Sequence, residues 1–212
     1  MVRRKARRGL LVAIEGGDGA GKSTLQRYLI SRLRKRGYRV LGRREPNDPE
    51  LGRYAQQASV RDPWSGAVYF SLDRYRARPT LERDLRRSNI VISDRSLYST
   101  LAYQGSALAK PLRAHLEEMQ ALATILPDRV ILLDLPPTEA LRRLRGRGRA
   151  RSPLERRRTL ERVRRAYRRL ARQRDWLTLD ARRSRRLLAE AAERYLVDSA
   201  LAPATRRRRR PS

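Results

Sequence analysis

The chain has 212 residues, with 52 Lys+Arg against 22 Asp+Glu for a formal charge of +30, and 40% hydrophobic residues, enough for one well-buried core and a single domain. It contains no cysteine and one histidine, His115, which excludes disulfide frameworks, zinc–thiolate sites, iron–sulfur clusters, thiol nucleophiles and multi-histidine metal sites, and disfavours a Ser-His-Asp hydrolase. No apolar run approaches the roughly 20 residues of a membrane span, and the basic start is followed by only residues 10–14 before Glu15 interrupts, too short for a secretory signal. The expectation is a soluble cytoplasmic protein without membrane contact.

Residues 10–14 (LLVAI) form a short apolar run before a glycine-rich stretch and read as a buried strand. Leu25, Leu29 and Leu33 recur at helical spacing over residues 21–36, with Gly37 as the stop. A second strand is expected over 38–41 and a turn over 45–49, where two prolines disfavour helix in the residues before them. A long helical segment follows over about 65–87, broken or kinked near Pro79.

Residues 90–92 (IVI) read as a third strand, 112–126 as a helix and 130–135 as the most apolar strand. A helix over 138–144 precedes an Arg/Gly segment with no apolar periodicity, expected as a mobile loop. Two amphipathic helices, 154–172 and 182–195, flank a last strand at 176–179. The end, from residue 200, holds five consecutive arginines at 206–210 and reads as a disordered tail. Alternating strands and helices predict an α/β fold, a five-stranded parallel sheet with helices on both faces. Its site should lie outside the carboxyl ends of the strands.

After the first strand come Gly16, Gly17, Asp18, Gly19, Ala20, Gly21, Lys22, Ser23 and Thr24. They fit G-x-x-x-x-G-K-[ST] in its confirming context, strand before and helix after. Glycines let successive N–H groups turn inward around a phosphate, and the following helix adds its positive end. Lys22 is a compact charge suited to the β- and γ-phosphates, and Ser23 can ligate Mg²⁺. Only four of the 52 basic residues are lysines, so a lysine at this position is not a product of composition. These residues predict binding of a nucleoside triphosphate with Mg²⁺. At the third strand's end, Asp94 can hold the metal or its water, and Arg95 can clamp a second phosphate.

Together with Arg44-Glu-Pro46, Leu72-Asp-Arg74, Asp94-Arg95, Ser99-Thr-Leu-Ala-Tyr-Gln-Gly105, Pro127-Asp128, Leu132-Leu-Asp-Leu-Pro136, Arg147-Gly-Arg149 and Val163-Arg164-x-x-Tyr167, the loop resembles thymidylate kinase, a family of phosphate-loop nucleoside monophosphate kinases. The resemblance runs in order over about residues 10–196. It implies the reaction ATP + dTMP → ADP + dTDP with Mg²⁺, in dTTP synthesis, by a homodimer. It implies Asp18 beside the acceptor sugar and phosphate, Phe70 stacked on thymine with Arg74 beside the base, and Arg95 on the acceptor phosphate. It further implies Thr100 at the pyrimidine edge, Tyr103 crowding the sugar's 2′ position, and a lid over about 145–153 carrying Arg147 and Arg149 as catalytic arginines.

Two positions depart from the family pattern. Ser96 stands where an aromatic residue or His usually follows Asp-Arg, and Ala20 where some members carry arginine. The second departure assigns the transition-state arginine to the lid. The alternatives are a deoxynucleoside kinase, a kinase of another pyrimidine monophosphate, or, in another class, a nucleic-acid-binding phosphate-loop ATPase. The organisation expected is a basic arm at 1–9, the kinase-like domain at 10–199, and an Arg-rich tail at 200–212 capable of non-specific nucleic-acid contact.

Overall fold

The computed structural model describes residues 8–146, 154 and 156–200. Its strands are β1 (Leu10–Glu15), β2 (Val40–Arg44), β3 (Ile90–Asp94), β4 (Arg129–Asp134) and β5 (Leu177–Asp180). They form one sheet in the order β2-β3-β1-β4-β5, every neighbouring pair parallel. The first strand therefore lies in the middle, and the chain moves to one side of it for β2 and β3 and to the other for β4 and β5. That change of direction opens a crevice beyond the carboxyl end of β1, where such sheets hold ligands.

Helices α1 (Lys22–Lys35), α2 (Pro49–Arg61), α3 (Pro63–Arg87), α4 (Leu97–Tyr103), α5 (Lys110–Ala123), α6 (Pro137–Arg145), α7 (Arg157–Gln173) and α8 (Arg185–Ala200) complete the described elements, with a 3₁₀ turn at Gly105–Ala107. Alternation along β1 sends side chains to both faces. Val12 and Ile14 pack with Leu25, Leu29 and Leu33 of α1 and Ala189, Ala192 and Leu196 of α8. On the opposite face Ala13 packs with Leu101 and Leu116, and Leu132 with Val163 and Tyr167. With both faces covered, β1 and β3 are buried almost end to end.

The expected fold class holds, and several boundaries move. α3 runs unbroken from Pro63 to Arg87 with Pro79 inside it, started by the Asp62 side chain, which accepts from the N–H groups of Trp64 and Ser65. Two helices were not expected. In α2 the buried face consists of Gly52, Ala55 and Ser59, and in α4 every residue is buried, so neither shows an apolar stripe. The 3₁₀ turn had no counterpart in the sequence reading. Arg8, within the expected arm, pairs with Asp128 at 2.8 Å, while the Gly9 N–H donates to the Leu85 carbonyl at 2.7 Å. The body thus begins before residue 10, and α8 extends to residue 200. The Arg-rich tail beyond it and lid residues 147–153 lie outside the described residues, whereas Arg145 belongs to α6.

Candidate active site

The loop leaving β1 is shaped by backbone. Gly16 has φ +143°, and a Cβ there would lie 2.5 Å from the Leu133 carbonyl oxygen; Gly19 has φ +85°, and its Cβ would lie 3.1 Å from the Ala140 carbonyl. A side chain at either position would push the loop off β4 or α6. The loop ends at Gly21, and Lys22 opens α1, whose first turn carries no acid, so the helix's positive end remains available to an anion. Lys22 folds back over the loop and donates to the Gly16 and Gly17 carbonyls at 2.9 and 3.0 Å. Burial, reinforced by repulsion from Arg95, lowers its pKa to about 8, against the opposing pull of Asp18, Asp94 and Glu15.

Ser23, next on α1, donates to Asp94 Oδ2 at the end of β3. This hydroxyl and carboxylate are hard oxygen donors, suited to Mg²⁺, which prefers one or two protein oxygens supplemented by phosphate and water. Among the described residues no group of three or more His, Cys, Asp or Glu converges. The donor set thus fits a metal that arrives with nucleotide phosphates.

Arg95 follows in a left-handed conformation, φ +80°, which costs a residue with a Cβ roughly 1–3 kcal/mol. The turn is held from several sides. The Arg95 N–H donates to the Ile14 carbonyl at 3.0 Å. Its guanidinium donates through Nη2 to Asp18 Oδ1 and through Nη1 to Ser99 Oγ at 3.2 Å, and lies 5.4 Å from the centre of the Tyr103 ring. Burial raises the Asp18 pKa, but Arg95, then Lys22 and the Tyr103 hydroxyl, outweigh it and hold the carboxyl below its ordinary value. The Tyr103 hydroxyl accepts from the Asp18 N–H at 3.0 Å and donates to Asp18 Oδ2 at 2.9 Å. Burial and the adjacent Asp18 push that phenol's pKa well up, so it stays a donor.

Arg74 lies beyond this turn and is only 3% exposed. It donates to Glu45 at 2.7 Å, Thr100 Oγ1 at 2.9 Å, Gln120 Oε1 at 2.7 Å and the Ser96 carbonyl at 3.0 Å. A buried guanidinium satisfied on every edge is a rigid wall. Phe70 sits half-buried one helical turn before it on α3. The structure therefore gathers Lys22, Ser23, Asp94, Asp18, Arg95 and Tyr103 at one point, and Arg74 and Thr100 beside it. Phe70 shares the helix of Arg74, while Arg147 and Arg149 lie outside the described residues.

Sequence reasoning assigned no role to Glu15, Glu45, Ser99, Gln120, Arg143 or Tyr167. Glu15 carried a signal, being a carboxylate ending an otherwise apolar central strand. Gln120 carried another, a polar residue one turn after Leu116 on the buried side of α5. Arg143 bridges the loop and the β5–α8 connection, donating to the Gly19 carbonyl at 3.4 Å and the Ala181 carbonyl at 3.0 Å. Nothing local marks it.

Comparison with known proteins agrees with this arrangement. The family described as Thymidylate kinase matches residues 14–192. Thymidylate kinase of Xanthomonas oryzae pv. oryzae (strain PXO99A) is 42% identical over 160 residues, 74% of this chain and 69% of that protein. Probable thymidylate kinase of Archaeoglobus fulgidus is 36% identical over 161 residues, 74% of this chain and 80% of its own. Thymidylate kinase of Xanthomonas campestris pv. campestris (strain B100) is 39% identical over 160 residues, covering 74% and 69%.

Proposed function

The chain belongs to the thymidylate kinase family, and we propose that it transfers the γ-phosphoryl group of ATP to dTMP, forming ADP and dTDP on the route to dTTP in the cytoplasm. The observation that carries this reading is the convergence of two cations near Asp18, Arg95 bonded to it and Lys22 close enough to lower its pKa. Lys22 belongs to the phosphate loop and Arg95 to the neighbouring strand end. Two cations on adjoining strand ends suit two phosphate chains brought end to end.

In this reading a dTMP phosphate oxygen attacks the γ-phosphorus, and the bond to the β–γ bridging oxygen breaks. The nucleophile is already an anion, so no strong base is required, in keeping with a chain of one histidine. The work is alignment and charge neutralisation. The loop N–H groups and Lys22 hold the donor phosphates. Arg95 holds the acceptor phosphate, and Asp18 fixes Arg95. Ser23 and Asp94 would hold Mg²⁺, which when bound offsets charge on the donor phosphates. Arg74 and Thr100 face the pyrimidine, Phe70 stacks on it, and Tyr103 crowds the 2′ carbon of the sugar. Arg147 and Arg149 supply the remaining positive charge, since Ala20 brings none to the loop.

The test is ADP release with dTMP, dUMP, dCMP, UMP and thymidine side by side. dTMP should be fastest; faster turnover of thymidine would instead make this a nucleoside kinase. Tyr103→Ala should lower the preference for dUMP over UMP more than it lowers dTMP turnover.

The homodimer is supported by α2 and α3, where Tyr54, Val60, Val68, Tyr69 and Leu72 are exposed. Sedimentation velocity should give twice the chain mass. The arginine run 206–210 supports contact with polyanions that weakens steeply with salt.

A further inference from the structure

Glu15 has no part in the reaction as described, yet it is the most completely enclosed acid in the site, with no exposed surface. It ends β1 immediately before the phosphate loop. Its Oε1 accepts from Ser96 Oγ at 2.7 Å, and its Oε2 accepts from Ser99 Oγ at 2.7 Å and from the Tyr167 hydroxyl at 2.8 Å. Three hydroxyls converge on this carboxylate, and the two on Oε2, those of Ser99 and Tyr167, also lie 3.0 Å from each other.

Ser96 and Ser99 both control Arg95. Ser96 is the next residue, and its hydroxyl also caps α4 by accepting from the Tyr98 N–H at 3.3 Å, which fixes the backbone on the far side of the left-handed residue. Ser99 Oγ, having given its proton to Glu15, presents a lone pair to Arg95 Nη1 at 3.2 Å. Backbone and guanidinium of Arg95 thus share one anchor.

We propose that Glu15 is a positioning residue for the acceptor phosphate, which through Ser96 and Ser99 holds the left-handed turn and aims the Arg95 guanidinium. The inference rests on the reading of Arg95 given above. It also accounts for Ser96 as a feature of this chain: a hydroxyl at that position supplies the third bond to the carboxylate. A carboxylate is required because its two oxygens accept from both sides. An amide has one acceptor oxygen, so in Glu15→Gln either the Ser96 side or the Ser99 and Tyr167 side must reverse its hydrogen bonding.

Calorimetric binding of dTMP and thymidine to the full chain tests this, because thymidine has the base and sugar but no phosphate for Arg95. Glu15→Gln should weaken dTMP about tenfold while thymidine affinity stays within about twofold, and Ser96→Ala should weaken dTMP about threefold with the same selectivity. The apparent KM for dTMP should rise with the affinity loss, and that for ATP should not. Equal weakening of both ligands would show that Glu15 serves the fold alone and would overturn the proposal, as would unchanged dTMP binding. If Glu15→Gln does not fold, Ser96→Ala decides by the same comparison. A wild-type protein that binds dTMP no tighter than thymidine would overturn the assignment of Arg95, and this inference with it. A wild type that prefers dTMP alongside variants that lose nothing would overturn the inference alone.

Discussion

The phosphate loop and the Asp94–Ser96 turn are adjacent strand ends built in opposite ways. The loop takes its shape from glycines at positive φ and from the carbonyls of Leu133 and Ala140 that leave no room for a Cβ, so its form is written in consecutive residues. The turn places an arginine, not a glycine, at φ +80°. Its form depends on partners from four other parts of the chain: Ile14 and Glu15 of β1, Asp18 of the loop, Tyr103 of α4 and Tyr167 of α7. A nucleotide's donor phosphates can be cradled by backbone N–H groups, which any sequence with the right glycines supplies. An acceptor phosphate at a defined distance needs a long side chain, and that side chain must be immobilised by distant groups.

The sharpest break between the two regions is expected from Lys22→Ala. It removes the loop's one positively charged side chain, and turnover should fall about 10²–10³-fold with the circular dichroism spectrum unchanged; activity within tenfold of wild type would contradict the role of the loop. Tyr103→Phe removes one of the ties that hold Asp18 of the loop, leaving its ion pair with Arg95. It leaves the Asp18 N–H without its acceptor, at a cost of roughly 1–3 kcal/mol, so thermal unfolding should occur several degrees lower and dTMP turnover should drop.

Arg95 separates strain from function. Arg95→Gly and Arg95→Ala should lose dTMP binding alike, but the glycine variant should be the more stable by about 1 kcal/mol, because it alone adopts the left-handed turn without a Cβ penalty. Equal melting temperatures would mean the turn relaxes.

The smallest effect is a proton. Lys22 has a pKa lowered to about 8 in the unliganded protein, and bound polyphosphate must raise it. ATP binding should therefore take up protons as pH rises from about 7 to 9, read from calorimetry in buffers of different ionisation enthalpy. The same shift makes the folded chain hold fewer protons than the unfolded chain between pH 8 and the lysine's ordinary pKa. This residue's contribution to stability therefore increases with pH across that window.

The loop and strands were legible in the sequence for the reason that separates the two regions. Residues 10–14, 90–92 and 130–135 are apolar runs because both sheet faces are covered, and the lysine-bearing loop is contiguous. The second strand was placed at 38–41 and is found at Val40–Arg44, an edge strand in which only Val40 is buried and whose second half is Gly-Arg-Arg, so it lacks an apolar run. α2 escaped notice because it packs through small residues: a Cβ on Gly66 of α3 would lie 2.0 Å from Ser59 Oγ. α4 escaped because complete burial leaves no periodicity. Arg74 and Tyr103 were named from the family resemblance; the Arg74 partners Glu45 and Gln120, and the Glu15 cluster, join residues far apart in the chain, which no spacing rule detects.

The central position of β1 has a consequence for how the molecule is made. β1 and its loop precede their sheet neighbours by a long stretch of chain: β1 has no partner until residues 90–94 and then 129–134 have been produced. At about 5–20 residues per second, the nascent chain carries an unpaired apolar strand for on the order of ten seconds. The basic stretch over residues 3–8 and the arginines of α1 flank that strand in sequence, so charge repulsion between neighbouring nascent chains offers protection during the interval in which the core strand lacks both walls.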